Sequence, residues 1–342
     1  MTIALDATYS IGDALSGVGI YSREILRGIA EAHPDAQFDW CYRVHRMGEA
    51  RRQQLPPNVR RRLLFDPFAP LDSKLFHGLN QRLPRIPMHR AVATFHDLFV
   101  LTGEYSTAEF RARFAAQARA AAWRADAIIA VSAFTKRQVV ELLGVVESKV
   151  HVVHHGVCST PMPVVPRENI VLTVGAIQTR KNTARLVEAF EALDGHWGLV
   201  LAGSNGYGAE AIRERIARSP ARDRIQVTGY VSAAELSTLY ARAKIFAFPS
   251  LDEGFGMPVL EAMQAGIPVI TSNRSALPEV ANDAALLIDP NDTDALADAL
   301  QRVAHDEGLA QQLVERGLNR VKAFGWGEAV GETWKIYQRL LA

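Results

Sequence analysis

The chain lacks any long apolar run: nowhere do about 18 uninterrupted apolar residues occur, the length a helix needs to cross a bilayer. Nothing in it reads as a spanning segment. Its opening, MTIALDATYS, has no basic leader and sets Asp6 within the apolar stretch, so no export signal is expected. Cysteine is scarce. Only Cys41 and Cys158 occur, far apart, which excludes a disulfide framework and suits a reducing compartment. The cytoplasm is the expected location. An excess of one charge is missing too: 38 Lys and Arg stand against 37 Asp and Glu, a net charge of +1. No whole-molecule basic field exists to hold nucleic acid. There is no short-period repeat and no low-complexity tract.

What remains is ordinary globular material. Hydrophobic residues make up 48% and charged residues 22% of 342 positions, enough to bury a large core, and roughly 150 residues per domain gives about two domains. Short apolar runs alternate with longer amphipathic stretches, the pattern of strand–helix units around parallel sheets. In the first half TIALDA, AVATF near residue 93, AIIAV near 129 and VHVV near 152 read as buried strands. Helices are expected from about Gly19, where Tyr21, Ile25 and Ile29 share a face, and over about 106–124 and 133–143. STPMPVVPREN (159–169) holds three prolines, resists regular structure and marks a linker. After it IVLTVG (170–175), WGLVLAG, RIQVTG, KIFAFPS and IPVITS read as strands of a second parallel sheet, and Trp326 to Leu341 as a terminal helix. Ligands of such sheets sit beyond the carboxyl ends of the strands, so chemistry is expected in the loops there.

The most informative such loop lies in AFPSLDEGFGMPVLEAMQAGIPVITS (247–272), which reads strand, polar turn, helix, strand. Pro258 suits the first helical position, where its missing N–H is not needed, and Gly254 and Gly256 leave the preceding backbone uncrowded. Free N–H groups and the positive dipole end then offer a diphosphate site at Gly254, Phe255, Gly256 and Met257. Glu253 precedes the helix and Glu261 lies eight positions on, so two carboxylates bracket the anion and can accept hydrogen bonds from sugar or ribose hydroxyls. The plain alternative makes Glu253 a cap and Glu261 a surface residue. Arg180 and Lys181 follow strand 170–175, where a guanidinium and an ammonium can neutralise donor phosphates as the leaving group gains charge. Two solvated charges are the alternative there, although cations at a helix start are unfavourable until an anion arrives.

Gly17 and Gly19 precede a helix in G-x-G form and permit close approach of a ligand. The sixth position is Ser22, and about ten residues separate strand from loop, which disfavours a dinucleotide fingerprint. His96 closes an apolar strand and, on residue type alone, is a packed or capping histidine. Asp292-Thr293-Asp294 has an Asp-x-Asp form able to hold Mg²⁺ or Mn²⁺. DPNDTDALADALQRV places it at a helix start, where Asp and Thr cap, so no metal is expected there. His154 and His155 lack further ligands at usable spacing and read as structural. Arg43, Arg46, Arg51, Arg52, Arg60, Arg61 and Arg62, against Glu49, read either as a solvated basic loop or as a patch for anionic lipid headgroups or a lipid diphosphate.

EGFGMPVLE fits a Glu-x7-Glu motif and resembles the retaining GT-B glycosyltransferases of family four. The likeness extends over 250–290, to VGAIQTRKN (174–182) as a phosphate-binding turn, and to VSAFTKRQVVELLGV (131–145) with HVVHHGV (151–157) at the end of the first domain. SGVGIYS (16–22) and TFHDLFV (94–100) occupy the places of its glycine loop and active-site histidine. The resemblance covers nearly the whole chain and is weakest over about 40–90. It implies an α/β GT-B fold, two Rossmann-like doubly wound parallel-sheet domains facing a cleft: 1–160 on the acceptor side, 161–325 binding the donor, and a C-terminal helix, 326–342, packing back on the first domain.

The resemblance also implies hexose transfer with retained configuration, without metal, the donor phosphate itself taking the acceptor proton. The nucleotide sugar, GDP- or UDP-linked, is a co-substrate and no cofactor is expected; the acceptor is a glycan or a polyprenyl-diphosphate-linked saccharide. Glu253 would orient donor hydroxyls, Glu261 the ribose or sugar, Lys181 and Arg180 the diphosphate, and His96 and Gly17 the reacting region, with Gly17 and Gly19 among the donor-binding residues. Many relatives carry an arginine directly after the strand's last glycine; this chain has Ala176, and Arg180 is the candidate replacement. EGFGMP and SNRSALPEV resemble mannosyltransferases of bacterial polysaccharide assembly, which points to GDP-mannose, to O-antigen or related polysaccharide, and to a peripheral place at the inner face of the plasma membrane. A GT-B epimerase or phosphorylase, needing no external acceptor, and a non-catalytic nucleotide-sugar-binding assembly protein are the alternatives.

Overall fold

The computed structural model describes residues 2–12, 14–65, 72–157 and 162–342. The chain divides into two compact units, one of residues 1–102, 107–156 and 325–342, the other of 103–106 and 157–324.

Among the described residues the sheet of the first unit has seven strands, β1 (Thr2–Asp6), β2 (Gln37–Arg43), β3 (Val59–Leu64), β4 (Leu75–Gly78), β5 (Ala91–Phe95), β6 (Ala127–Ala130) and β7 (Val150–Val152). All pairs are parallel, in the order β3-β2-β1-β4-β5-β6-β7. β1 therefore sits inside the sheet with neighbours of later sequence on both sides, and the winding reverses between β1 and β4. The helix Gly17–Ala32 buries Tyr21, Ile25 and Ile29, the face its spacing predicts, together with Ala329, Val330, Ile336 and Tyr337 of the terminal helix Trp326–Leu341. At about 1.5–3 kcal/mol for each large apolar side chain removed from water, this return of the C-terminus is a substantial part of the unit's core. The predicted helices are found at Ala108–Arg124 and Ala133–Leu143, started by Thr107 and Ser132, whose side chains accept the N–H of Phe110 and Thr135.

Among its described residues the second unit repeats the plan with six parallel strands, β8 (Glu168–Val174), β9 (Gly198–Ala202), β10 (Ile225–Gly229), β11 (Ala243–Phe248), β12 (Val269–Ser272) and β13 (Ala285–Ile288), in the order β10-β9-β8-β11-β12-β13. Here the winding reverses between β8 and β11. Its core gathers Val171, Leu199, Leu201, Ile245 and Ile270 of the sheet with Leu186, Phe190, Leu296 and Leu300 of the helices.

Three expectations need correction. The arginine-rich stretch is not a loop: β3 carries Arg60, Arg61 and Arg62 along the sheet edge, with Val59 and Leu64 buried at its ends. The buried Asp39 on β2 accepts Arg60 at 3.2 Å and pairs with Arg62 at 3.4 Å, so the neighbouring strand supplies the counter-charge that makes such a strand tolerable. The linker ends earlier than 169, because Glu168 and Asn169 join β8, Glu168 held by a two-pronged pair with Arg242 at 2.5 and 2.8 Å. Gly17 and Gly19 lie in the first turn of their helix, not before it. Cys158 lies outside the described residues.

Candidate active site

The reversal of strand order in the second unit places two loops side by side at the carboxyl ends of β8 and β11, the position where open α/β sheets bind ligands. From β8 the chain runs through Gly175, whose φ of +139° suits glycine and whose missing Cβ leaves the stem of Lys181 room at 3.2 Å, into a short turn, Thr179–Lys181. From β11 it runs through Pro249 to Glu253. The two loops are tied by the backbone, Leu251 N–H to Arg180 C=O at 2.8 Å, and by side chains: Arg180 donates to the Asp252 carbonyl. Asn182, in left-handed conformation, donates its amide to the carbonyls of Pro249 at 3.1 Å and Pro290 at 2.6 Å, joining the ends of β11 and β13. Sequence reasoning gave Asn182 no role; an Asn between a basic pair and a helix was the available signal.

Arg180, Lys181 and Glu253, separated by about 70 residues, meet there. Glu253 Oε1 takes Lys181 Nζ at 2.6 Å and Arg180 Nη1 at 2.9 Å. All three side chains are nearly closed to water, at 15% exposure or less. Burial alone would raise the Glu253 pKa, but the two cations and the Lys181 hydrogen bond hold it down at about 2. Lys181 also lies over the Phe248 ring, 4.4 Å from its centroid. Two cations on one carboxylate leave the trio a net charge of +1, a setting into which an anion enters favourably. Glu253 is aimed by Ser275, whose hydroxyl accepts its N–H at 3.0 Å and whose own backbone is left-handed, φ 58°.

The helix Met257–Gln264 follows. Gly256 starts it in left-handed conformation, φ 107°, no side chain caps it, and Pro258 is in its first turn. Within that first turn Pro258 has no N–H to offer and the Val259 N–H is taken by the Gly256 carbonyl at 3.0 Å. Gly254 and Met257 belong to the same turn, whereas Phe255 is anchored, its ring edge-on to Phe324 at 5.8 Å. Glu261 lies one turn along, half-buried, and accepts the Tyr240 hydroxyl at 2.7 Å. Burial raises its pKa, which the Tyr240 bond partly offsets. Asp292 caps the helix Thr293–His305, accepting Ala295 N–H at 2.9 Å, as its context in the sequence predicts.

His96, Gly17 and Gly19 belong to the first unit. His96 lies just past the end of β5, buried, with Nε2 2.9 Å from the Leu79 carbonyl. Burial lowers its pKa to about 4, against a small rise from that bond, so the ring is neutral at pH 7. Its Nδ1 side meets His155, the two rings 5° from parallel with centroids 5.3 Å apart; the sequence reads His155 as structural. Gly19 donates its N–H to the Ser16 hydroxyl at 3.3 Å, and a Cβ there would meet the Tyr9 carbonyl at 2.8 Å. Tyr21, on the same helix, lies edge-on to His96 at 4.8 Å.

Two parallel-sheet Rossmann-like units, one with two cations paired to a carboxylate in the loops before an uncapped helix start, define a class: α/β proteins of GT-B type. Residues 162–320 match the family of glycosyl transferases group 1 and residues 16–159 match Glycosyltransferase Family 4; the chain belongs to these glycosyltransferases. It is similar to O-antigen chain mannosyltransferase B of Escherichia coli, 28% identical over 98% of this chain and 99% of that one. In fold it is similar to sucrose-phosphate synthase of Thermosynechococcus elongatus, TM-score 0.79 at 22% identity over 99% of each chain. Anabaena HepE, solved in complex with UDP and glucose, gives a TM-score of 0.74 at 16% identity over 99% of this chain and 100% of its own. Among the described residues no helix is long and apolar enough to cross a membrane.

Proposed function

We propose that this glycosyltransferase moves mannose from GDP-mannose to a polyprenyl-diphosphate-linked saccharide in O-antigen or related cell-surface polysaccharide synthesis, with retained configuration and without a metal ion. The observation that carries this is the trio at the ends of β8 and β11, with Lys181 and Arg180 on Glu253, in the loop that leads into the uncapped start of helix Met257–Gln264. Fixed cations and helix N–H groups supply the charge stabilisation that a leaving diphosphate needs. In the proposed step the acceptor hydroxyl attacks the anomeric carbon on the face from which the nucleotide departs. The carbon–oxygen bond to the donor phosphate breaks, the bond to the acceptor oxygen forms, and the hydroxyl proton passes to the departing phosphate oxygen. Lys181 and Arg180 hold that phosphate's charge, Glu253 orients donor hydroxyls, Glu261 the ribose or sugar, and His96 the reacting region. Arg180 takes the place of the arginine that Ala176 does not provide. The similarity to an O-antigen mannosyltransferase over nearly the full length supports the sugar and the pathway class. The exposed side chain of Arg60 and the exposed Arg51 and Arg52 support docking to anionic headgroups at the inner face of the plasma membrane.

The test is transfer from GDP-mannose to a synthetic mannose-terminated polyprenyl-diphosphate acceptor in EDTA, with the product anomer read by NMR. An α-mannoside formed at undiminished rate in chelator is expected. A β-mannoside, activity restored only by Mg²⁺ or Mn²⁺, or transfer from UDP-glucose but not GDP-mannose would each remove the corresponding part of the proposal.

A further inference from the structure

A carbonyl oxygen only accepts, so the His96 ring must carry its hydrogen on Nε2, toward Leu79. Its Nδ1 is then a lone pair, and the atom facing it, 3.4 Å away, is Nε2 of His155. For that contact to be favourable His155 must present an N–H, which fixes its hydrogen on Nε2 as well. His155 is buried within the first unit. Its ring is parallel to that of His96, Tyr21 lies edge-on to it at 4.9 Å, and the indole of Trp326 at the start of the terminal helix tilts against it at 5.9 Å. Burial lowers the pKa of both imidazoles, so two neutral rings share one hydrogen bond without mutual repulsion.

From this geometry we propose that His155 is a positioning residue that acts through His96, fixing the plane of the His96 ring and occupying its Nδ1 lone pair. Resting on the proposed role of His96 at the reacting sugar, the inference gives the terminal helix a part in the site: Trp326 seats His155, and His155 seats His96. A ring free to rotate about its own bonds would spend less time in the reactive geometry, and small misplacements of positioning groups cost rate.

The test is a double-mutant cycle with the full-length protein, GDP-mannose and the mannose-terminated lipid acceptor, using His155→Phe, His155→Gln, His96→Ala and the His96→Ala/His155→Phe pair. His155→Phe keeps the ring and removes the donor; kcat should fall on the order of tenfold with KM within about twofold. His155→Gln, whose amide N–H can reach Nδ1, should restore most of it. In the His96→Ala background His155→Phe should cost nothing further. In parallel, ¹⁵N spectra of histidine-labelled protein should show His96 protonated on Nε2, with its Nδ1 signal moving on His155→Phe and not on Trp123→Ala, an exposed control. Additive losses in the cycle, or an unmoved Nδ1 signal, overturn the inference. If His96→Ala turns over like wild type, the role of His96 fails instead, while the spectra still decide whether His155 holds the ring.

Discussion

Glu253 is the residue on which most of the chemistry converges, and its environment separates it from Glu261. One is pinned at a depressed pKa by two cations; the other is raised by burial and bonded to Tyr240. Replacing Glu253 by Gln removes a buried counter-charge from Arg180 and Lys181, a loss of about 3–5 kcal/mol for a buried pair. We expect Glu253→Gln to lower the melting temperature, and GDP, bringing phosphates to the two cations, to recover more of it than GDP adds to wild type. Turnover should fall on the order of tenfold for each 1.4 kcal/mol of lost transition-state contact. Glu261→Gln keeps an acceptor for the Tyr240 hydroxyl and should chiefly raise KM for the donor, as expected when contact to a non-reacting group is lost. Thermal shifts with and without GDP, and initial rates across donor concentrations, check both. Equal and near-wild-type behaviour of the two variants would remove the donor site from this loop.

At the scale of the element, the helix Met257–Gln264 depends on the turn before it. Gly256 has φ 107°, and a Cβ there would stand 2.7 Å from Leu277 Cδ2. Gly256→Ala should therefore cost about 1–3 kcal/mol in urea unfolding through backbone strain, and should weaken GDP binding in titration calorimetry because the helix start moves. Unchanged stability and affinity would mean that the helix start carries no anion. This turn was legible in the sequence because Pro fixes the backbone locally and Gly permits conformations other residues avoid, and so were the buried strands β1, β5, β6, β8 and β11 with their mainly apolar runs. β2, β3, β4 and β13 were not. β2 hides Asp39 among aromatics, β3 reads as three arginines, and β4 is four residues with a histidine; each becomes a strand through a partner that lies elsewhere in the chain. The same holds at the site. Arg180, Lys181 and Glu253 were found by their loops, whereas Asn182, Ser275 and Tyr240 act through contacts 21 to 108 residues distant, which no local pattern announces.

For the whole molecule, the two units carry opposite kinds of buried titrating group, and their responses to acid should differ. The first holds His77, between Tyr337 and Thr94, with a pKa lowered to about 3, and His96 and His155, all neutral because burial disfavours their charged forms. Their folded pKa values lie below the unfolded value near 6.5. Between those limits the unfolded chain binds protons that the folded chain does not, so stability falls as pH drops, by up to about 1.4 kcal/mol per pH unit for each histidine. The second unit holds Glu253, whose depressed pKa stabilises the fold above about pH 4.3 and is lost only as pH falls from there toward 2. Asp6 in the first unit and Glu261 in the second have raised values and act in the reverse sense, one in each, so they do not cancel the contrast. Lowering pH from 7.5 to 5 should therefore weaken the first unit and leave the second nearly unchanged. Hydrogen-exchange mass spectrometry should find peptides from β4, β5 and the terminal helix opening first, and calorimetry should show one transition moving down while the other stays. His77→Gln should flatten that slope even if it lowers stability at pH 7.5. Peptides of 168–290 opening first at pH 5, or a slope untouched by the substitution, would place the acid sensitivity elsewhere.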